Sequence, residues 1–220
     1  MTTIKKAAKI THHPDLATLS SFAFGSIDKG RAFVVGAHVH RCAKCATLVR
    51  GFEETGGAML DDVQPAPLTM AAGDKMLDIV LHGADDSRRT AVPTRADVDL
   101  RTVLTTYQDG PWRWVGPGVH VRPLASAARG EARLFLLKAE PGTSLPDHTH
   151  SGTELTLVLQ GAFSHGGGRF AVGDLEEADG SVEHQPIVED GDVCICLVAM
   201  DGLLRLKGFV GWLLQPFVRI

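Results

Sequence analysis

The texture of the chain changes near residue 111, and that change constrains the fold more than any single motif. From there on, the sequence reads as short apolar or alternating runs: VRPL, ARLFLLKA, ELTLVLQGAF, GRFAVGDLEEA, QPIVEDGDVCICLVA and LLRLKGFVGWLLQPF. Glycine, proline and aspartate divide them at about ten-residue spacing. Runs of that kind suit the antiparallel strands of a sandwich or barrel. Before residue 111 the pattern is mostly helical. THHPDLATLSSFAFG places Pro14 in a first helical turn and ends at Gly25. Segments 27–42, 43–60, 73–83 and 94–107 are further apolar-periodic stretches, with DDVQPAPLT and GADDSRRTAVP as loop or linker. The expectation is an α+β multidomain chain: a small helical domain with its linker over 1–108, then an all-β barrel over 109–220.

Composition narrows the function. The 220 residues are comfortable for two domains. No apolar run approaches the roughly 20 residues of a membrane span, and VCICLVAM at 193–200 is strand-sized. MTTIKKAAKI has lysines with no apolar core behind them, so no signal peptide is read and a cytoplasmic location is the default. Four cysteines do not make a disulfide scaffold, and C-x-x-C in a reducing compartment points to metal or thiol chemistry. Residues 1–50 carry eight Lys/Arg against two Asp/Glu. Without interleaved aromatics that excess reads as solvated helix faces, and no direct DNA binding is expected.

The stretch HVHRCAKC, residues 38–45, holds half of the cysteines. At about 100° per residue on a helix, His38, Cys42 and Cys45 share one face and His40 points elsewhere. Imidazole and thiolate suit tetrahedral zinc, which needs a fourth protein ligand in a structural site. The stretch THH supplies His12 or His13. HVHRCAKC with the upstream HHPD resembles the zinc-binding anti-sigma domain, a small helical bundle. The resemblance puts the fourth ligand on His13, and it implies a domain that clamps an extracytoplasmic-function (ECF) sigma factor away from RNA polymerase.

A second constellation lies in GTSLPDHTHSGTELTLVLQG, with Gly142, His148, His150, Glu154 and Gly161 in register. His148 and His150 are two apart, so both face one side of a strand. The spacing resembles the first motif of the cupins, whose fold is a double-stranded β-helix. At the second motif's spacing Gly173 leads to His184, with Asp179, Ser181 and Val188 where the motif has proline, glycine and asparagine. The resemblance implies His148, His150, Glu154 and His184 as ligands of zinc or another divalent ion. It also leaves open a homodimer through the barrel. Cys194 and Cys196 alternate on one strand and read as small buried residues, or as thiols near the ion. His82, His120 and His165 have no partner legible in the sequence and read as structural or exposed.

In this order the two domains resemble the ChrR family of anti-sigma factors over nearly the whole chain. PWRWVGPGV, EHQP and CICL add to the likeness. The resemblance implies a regulator of transcription that releases its sigma factor on oxidative stress, by singlet oxygen or an organic hydroperoxide, with no catalytic residues. The competing expectation is a metal-dependent cupin enzyme, dioxygenase-like, with an accessory helical domain.

Overall fold

The computed structural model describes residues 9–67, 69–82, 111–125 and 131–207. Four helices come first: α1 (Leu16–Ala23), α2 (Lys29–Arg41), α3 (Ala43–Asp61) and α4 (Met70–His82). Strands follow: β1 (Arg113–Gly116), β2 (Val119–Ala125), β3 (Arg133–Ala139), β4 (His148–His150), β5 (Glu154–Gln160), β6 (Ala162–His165), β7 (Gly168–Ala171), β8 (Leu175–Ala178), β9 (Ile187–Val188), β10 (Cys194–Met200) and β11 (Leu204–Leu206). The helix expected over 94–107, the boundary at 108/109 and the chain beyond Lys207 lie outside the described residues.

Helix starts follow from side-chain caps. Asp15 accepts from the Thr18 amide at 2.6 Å, so α1 begins two residues after Pro14. Asp28 caps α2 through the Arg31 amide. Between α2 and α3 the chain does not run as one helix. Cys42 is extended (φ −112°, ψ 102°), the C-cap of α2 and the N-cap of α3. The single helical face expected for His38, Cys42 and Cys45 is therefore corrected to a helix–helix junction.

The strands form a six-stranded antiparallel sheet, β1-β2-β3-β10-β5-β8, facing a three-stranded sheet, β7-β6-β9, and the pair β11-β4. Between them lies one core, with Val119, Phe135, Val158, Phe163, Phe170, Val198 and Met200. The large sheet has a second apolar face. Leu134, Leu136, Leu155, Leu157, Leu175, Leu197 and Ala199 point outward, where Leu19, Val34, Val35, Ala37 and Val49 of the helices cover them in one continuous cluster. Helix α2 lies close on this face: a Cβ at Gly30 would meet the Ala132 carbonyl oxygen at 2.7 Å. Burial on both faces explains why ELTLVLQ and CICLVAM are nearly continuous apolar runs.

The helices are also tied to the sheet by polar contacts. The Ala132 amide donates to Asp28 at 3.3 Å. Glu177 on β8 accepts from the Asp15 amide at 3.0 Å and from the Thr18 hydroxyl at 2.6 Å. Just before β8, Asp174 accepts from the backbone amides of Thr11 and His12 at 2.6 and 2.9 Å. The segment carrying His13 is thereby docked on the barrel.

Candidate metal centres

Helix α2 delivers His38, the junction delivers Cys42, the first turn of α3 delivers Cys45, and the docked N-terminal segment delivers His13. One ligand atom from each lies within 4.8 Å of all the others. His13 Nδ1 stands 3.4 Å from Cys42 Sγ and 3.5 Å from Cys45 Sγ, and His38 Nε2 stands 3.4 Å from Cys45 Sγ. A nitrogen at about 2.1 Å and a sulfur at about 2.3 Å from one tetrahedral ion are separated by about 3.6 Å. The donor set and its spacing fit a four-coordinate zinc. His12 is elsewhere, stacked on Phe170 with ring centroids 4.1 Å apart. His40 is exposed.

The protonation states fit as well. His38 is fully buried, and its Nδ1 donates to the Gly173 carbonyl at 2.9 Å. A carbonyl only accepts, so Nε2 keeps its lone pair toward the cluster. Burial pulls the His38 pKa down to about 4. Burial first and then Cys42 push the Cys45 thiol up to about 12. Binding an ion there releases that thiol proton, which makes affinity depend on pH.

In the barrel, β4 presents His148 and His150, and the turn after β8 presents His184. Their three ligand nitrogens also lie within 4.8 Å of one another. His148 Nδ1 donates to the Pro146 carbonyl at 2.7 Å, and His184 Nδ1 donates to Glu176 at 2.9 Å. Both rings therefore present Nε2 lone pairs, and those two nitrogens face each other at 2.9 Å. His150 Nε2 joins them, 3.3 Å from His184 Nε2. Two acceptors facing each other in a buried space repel unless a cation lies between them. A proton serves one pair, whereas a divalent ion serves all three, and nitrogens at about 2.1 Å from one ion stand about 3.0–3.4 Å apart.

Glu154 lies beside this group. Its Oε2 is 3.7 Å from His150 Nδ1, and its Oε1 accepts from Thr156. Burial, and after it Glu176, raise its pKa. The turn that departs from the cupin motif closes by another device: Asp179 accepts from the Ser181 amide and hydroxyl at 2.8 and 2.6 Å. Val188 packs in the inner core with Phe163.

Two residues of this site escaped the sequence reading. Glu176 bridges His184 and His165, whose Nε2 is 2.7 Å from its Oε1. His165 thus has a partner that the sequence did not reveal, in keeping with a structural role. The Gly167 amide donates to His165 Nδ1, so the proton sits on Nε2, which lies beside Glu176 without hydrogen-bond alignment to it. Burial opposes ionisation of Glu176, yet His165 and His184 outweigh it and hold its pKa at about 2. Burial likewise opposes protonation of His184, but Glu176 raises its pKa on balance. A carboxylate–imidazole pair of this kind orients a ligand ring. The sequence signal was faint: adjacent glutamates in LEEA face opposite sides of β8, Glu177 to the helices and Glu176 into the barrel. Cys194 and Cys196 are buried in the barrel wall with Sγ atoms 3.7 Å apart. His120 joins neither cluster among the described residues.

A helical bundle with an imidazole–thiolate quartet, fused to a barrel with three converging imidazoles, defines a two-part, cupin-containing protein. Residues 100–203 match the family described as the ChrR cupin-like domain. Anti-sigma-E factor ChrR of Cereibacter sphaeroides is 36% identical over 216 residues, which cover 96% of this chain and 99% of the relative. The crystal structure of Rhodobacter sphaeroides SigE in complex with the anti-sigma ChrR aligns with a TM-score of 0.74 at 34% identity, covering 88% of this chain and 100% of that one. The chain belongs to the ChrR family of anti-sigma factors. An anti-sigma factor is a regulator and not a catalyst, which decides against the dioxygenase-like alternative.

Proposed function

We propose that this chain sequesters an ECF-type sigma factor in the cytoplasm and keeps it from RNA polymerase until an oxidative signal, singlet oxygen or an organic hydroperoxide, releases it. The observation that carries this is the likeness over 88% of the chain to a relative crystallised with its sigma factor. A surface suited to the partner is present. Helix α4 exposes Met70, Met76, Leu77, Ile79, Val80 and Leu81, more apolar surface than one helix shows to water without a partner. His13, His38, Cys42 and Cys45 hold a zinc that staples the helical bundle. His148, His150 and His184 hold zinc or another divalent ion in the barrel, with Glu154 beside them as fourth ligand. Each ion would supply a fixed positive charge that neutralises converging donors; the protein supplies the orientation, through Gly173, Pro146 and Glu176. The chain needs no contact with DNA to act.

The test is a transcription assay with the sigma factor that copurifies with this chain. Stoichiometric addition should silence sigma-dependent transcripts and leave those of the housekeeping sigma factor unchanged. Metal analysis of the same preparation should find about two ions per chain. Full transcription at tenfold excess of the protein would refute the proposal.

A further inference from the structure

The barrel is not filled by its side chains. Between the two sheets lies a cavity of about 390 Å³, within the range of small-molecule sites. At the roughly 30 Å³ that a water-sized group occupies in a liquid, it holds about a dozen heavy atoms. Its wall is apolar along most of its length, formed by Val119, Phe135, Phe163, Val198 and Met200. Ser144, Cys194 and Cys196 also line it, while its ionisable groups His148, Glu154, Glu176 and His184 stand together with Thr156. A partly open space with a long apolar wall and one group of ionisable side chains matches an amphipathic chain. It does not match a sugar or nucleotide, which would leave its hydroxyls unpaired along the wall.

We propose that the barrel cavity binds a linear aliphatic molecule of about eight to ten carbons with one anionic oxygen head, the head at the His148–His184 end and the chain along the apolar wall. The chain preference rests on the cavity alone. The head preference rests on direct contact with the divalent ion proposed above, because the Glu154 and Glu176 carboxylates beside it together match its charge. A carboxylate of eight to ten carbons has ten to twelve heavy atoms and fills the space.

The experiment is calorimetric titration of the metal-loaded full chain with linear carboxylates from four to fourteen carbons, and with the matching 1-alkanols. Each added methylene that finds apolar wall should tighten binding about fourfold. The expected result is saturable binding of one molecule per chain, a fourfold rise per carbon up to eight to ten carbons, and no rise beyond. Carboxylates should bind more tightly than alkanols of equal length, and removal of the ion should abolish that difference. Val198→Phe takes up room in the wall and should move the break about two carbons shorter. No saturable binding by either series, or a rise continuing to fourteen carbons without a break, would overturn the proposal, the latter by showing surface adsorption. A protein that carries no barrel ion would instead refute the metal assignment, and the alkanol series would still decide the cavity.

Discussion

His38 carries a pronounced pH effect on the acid side of neutrality. Its ring is neutral and buried, and its pKa falls from the ordinary 6.5 to about 4. The unfolded chain therefore takes up a proton first as pH drops, and stability present above about pH 6.5 is lost on the way to pH 4. In chelator-treated full-length protein, His38 should cost about 2 kcal/mol between pH 7.5 and pH 5. Urea unfolding at the two pH values measures this, and His38→Gln should flatten the difference by about that amount. The thiolates act through the ion. Cys42→Ser removes one of four candidate ligands, so the helical group should lose its zinc and part of its helical circular dichroism. Native sigma-factor affinity in that variant would show that the zinc is not a structural staple. At this scale the sequence was informative where ligands sit a few residues apart, as in His38, Cys42 and Cys45 or His148 and His150. It was silent on Glu176 and His165, because a supporting residue needs only to face its ligand across a barrel and leaves no fixed spacing.

The elements explain which runs misled and which did not. Segmentation at Cys42/Ala43 was readable from apolar periodicity, yet a continuous helical wheel was wrong there because Cys42 leaves helical geometry. The wheel still grouped the right residues, since a junction of two helices also gathers positions within one turn of it. The strands ELTLVLQ and CICLVAM were readable as strands, while the helices on their outer face were not, although unbroken apolar character is what burial on both faces requires. Helix α4 is the converse, an apolar segment that this chain leaves exposed. Leu77→Glu with Val80→Glu should leave the melting temperature within a few degrees, since exposed substitutions change stability little. The same pair should weaken sigma-factor binding at least tenfold, because charges in a desolvated contact are costly. Immobilised sigma factor and a dilution series of the variant would measure both ends of that expectation. Undiminished affinity would place the clamp on another helix.

Across the described residues the helices and barrel share one apolar cluster, so the two candidate ion sites sit on a common body. They still differ in what holds them. His148→Ala removes one of the converging imidazoles without touching the helical quartet. It should empty the barrel site, leave sigma-factor binding intact and abolish induction by photosensitised oxidant in a reporter strain. An ordinary induction ratio would take the barrel ion out of the signalling path. The reverse dependence runs through Asp174. It is no ligand, but it accepts from the amides of Thr11, His12 and Ala171 and so fixes the segment that carries His13. Backbone bonds hold its carboxyl below the usual carboxylate range despite burial, so it remains an acceptor at neutral pH. The next residue back, Gly173, receives the His38 ring. Two of the four candidate zinc donors are thus positioned by one barrel turn. Asp174→Ala leaves three amides without their acceptor, at a cost of about 3 kcal/mol. Loosening His13 should weaken zinc at the helical quartet by about tenfold, the effect usual for loss of an orienting partner. The barrel ion, whose ligands come from β4 and the turn after β8, should be retained. Competition with a chromophoric chelator resolves the two releases on one sample. Unchanged zinc affinity at the quartet would mean that His13 keeps its place without the barrel, and that the helical bundle is self-sufficient as a metal site.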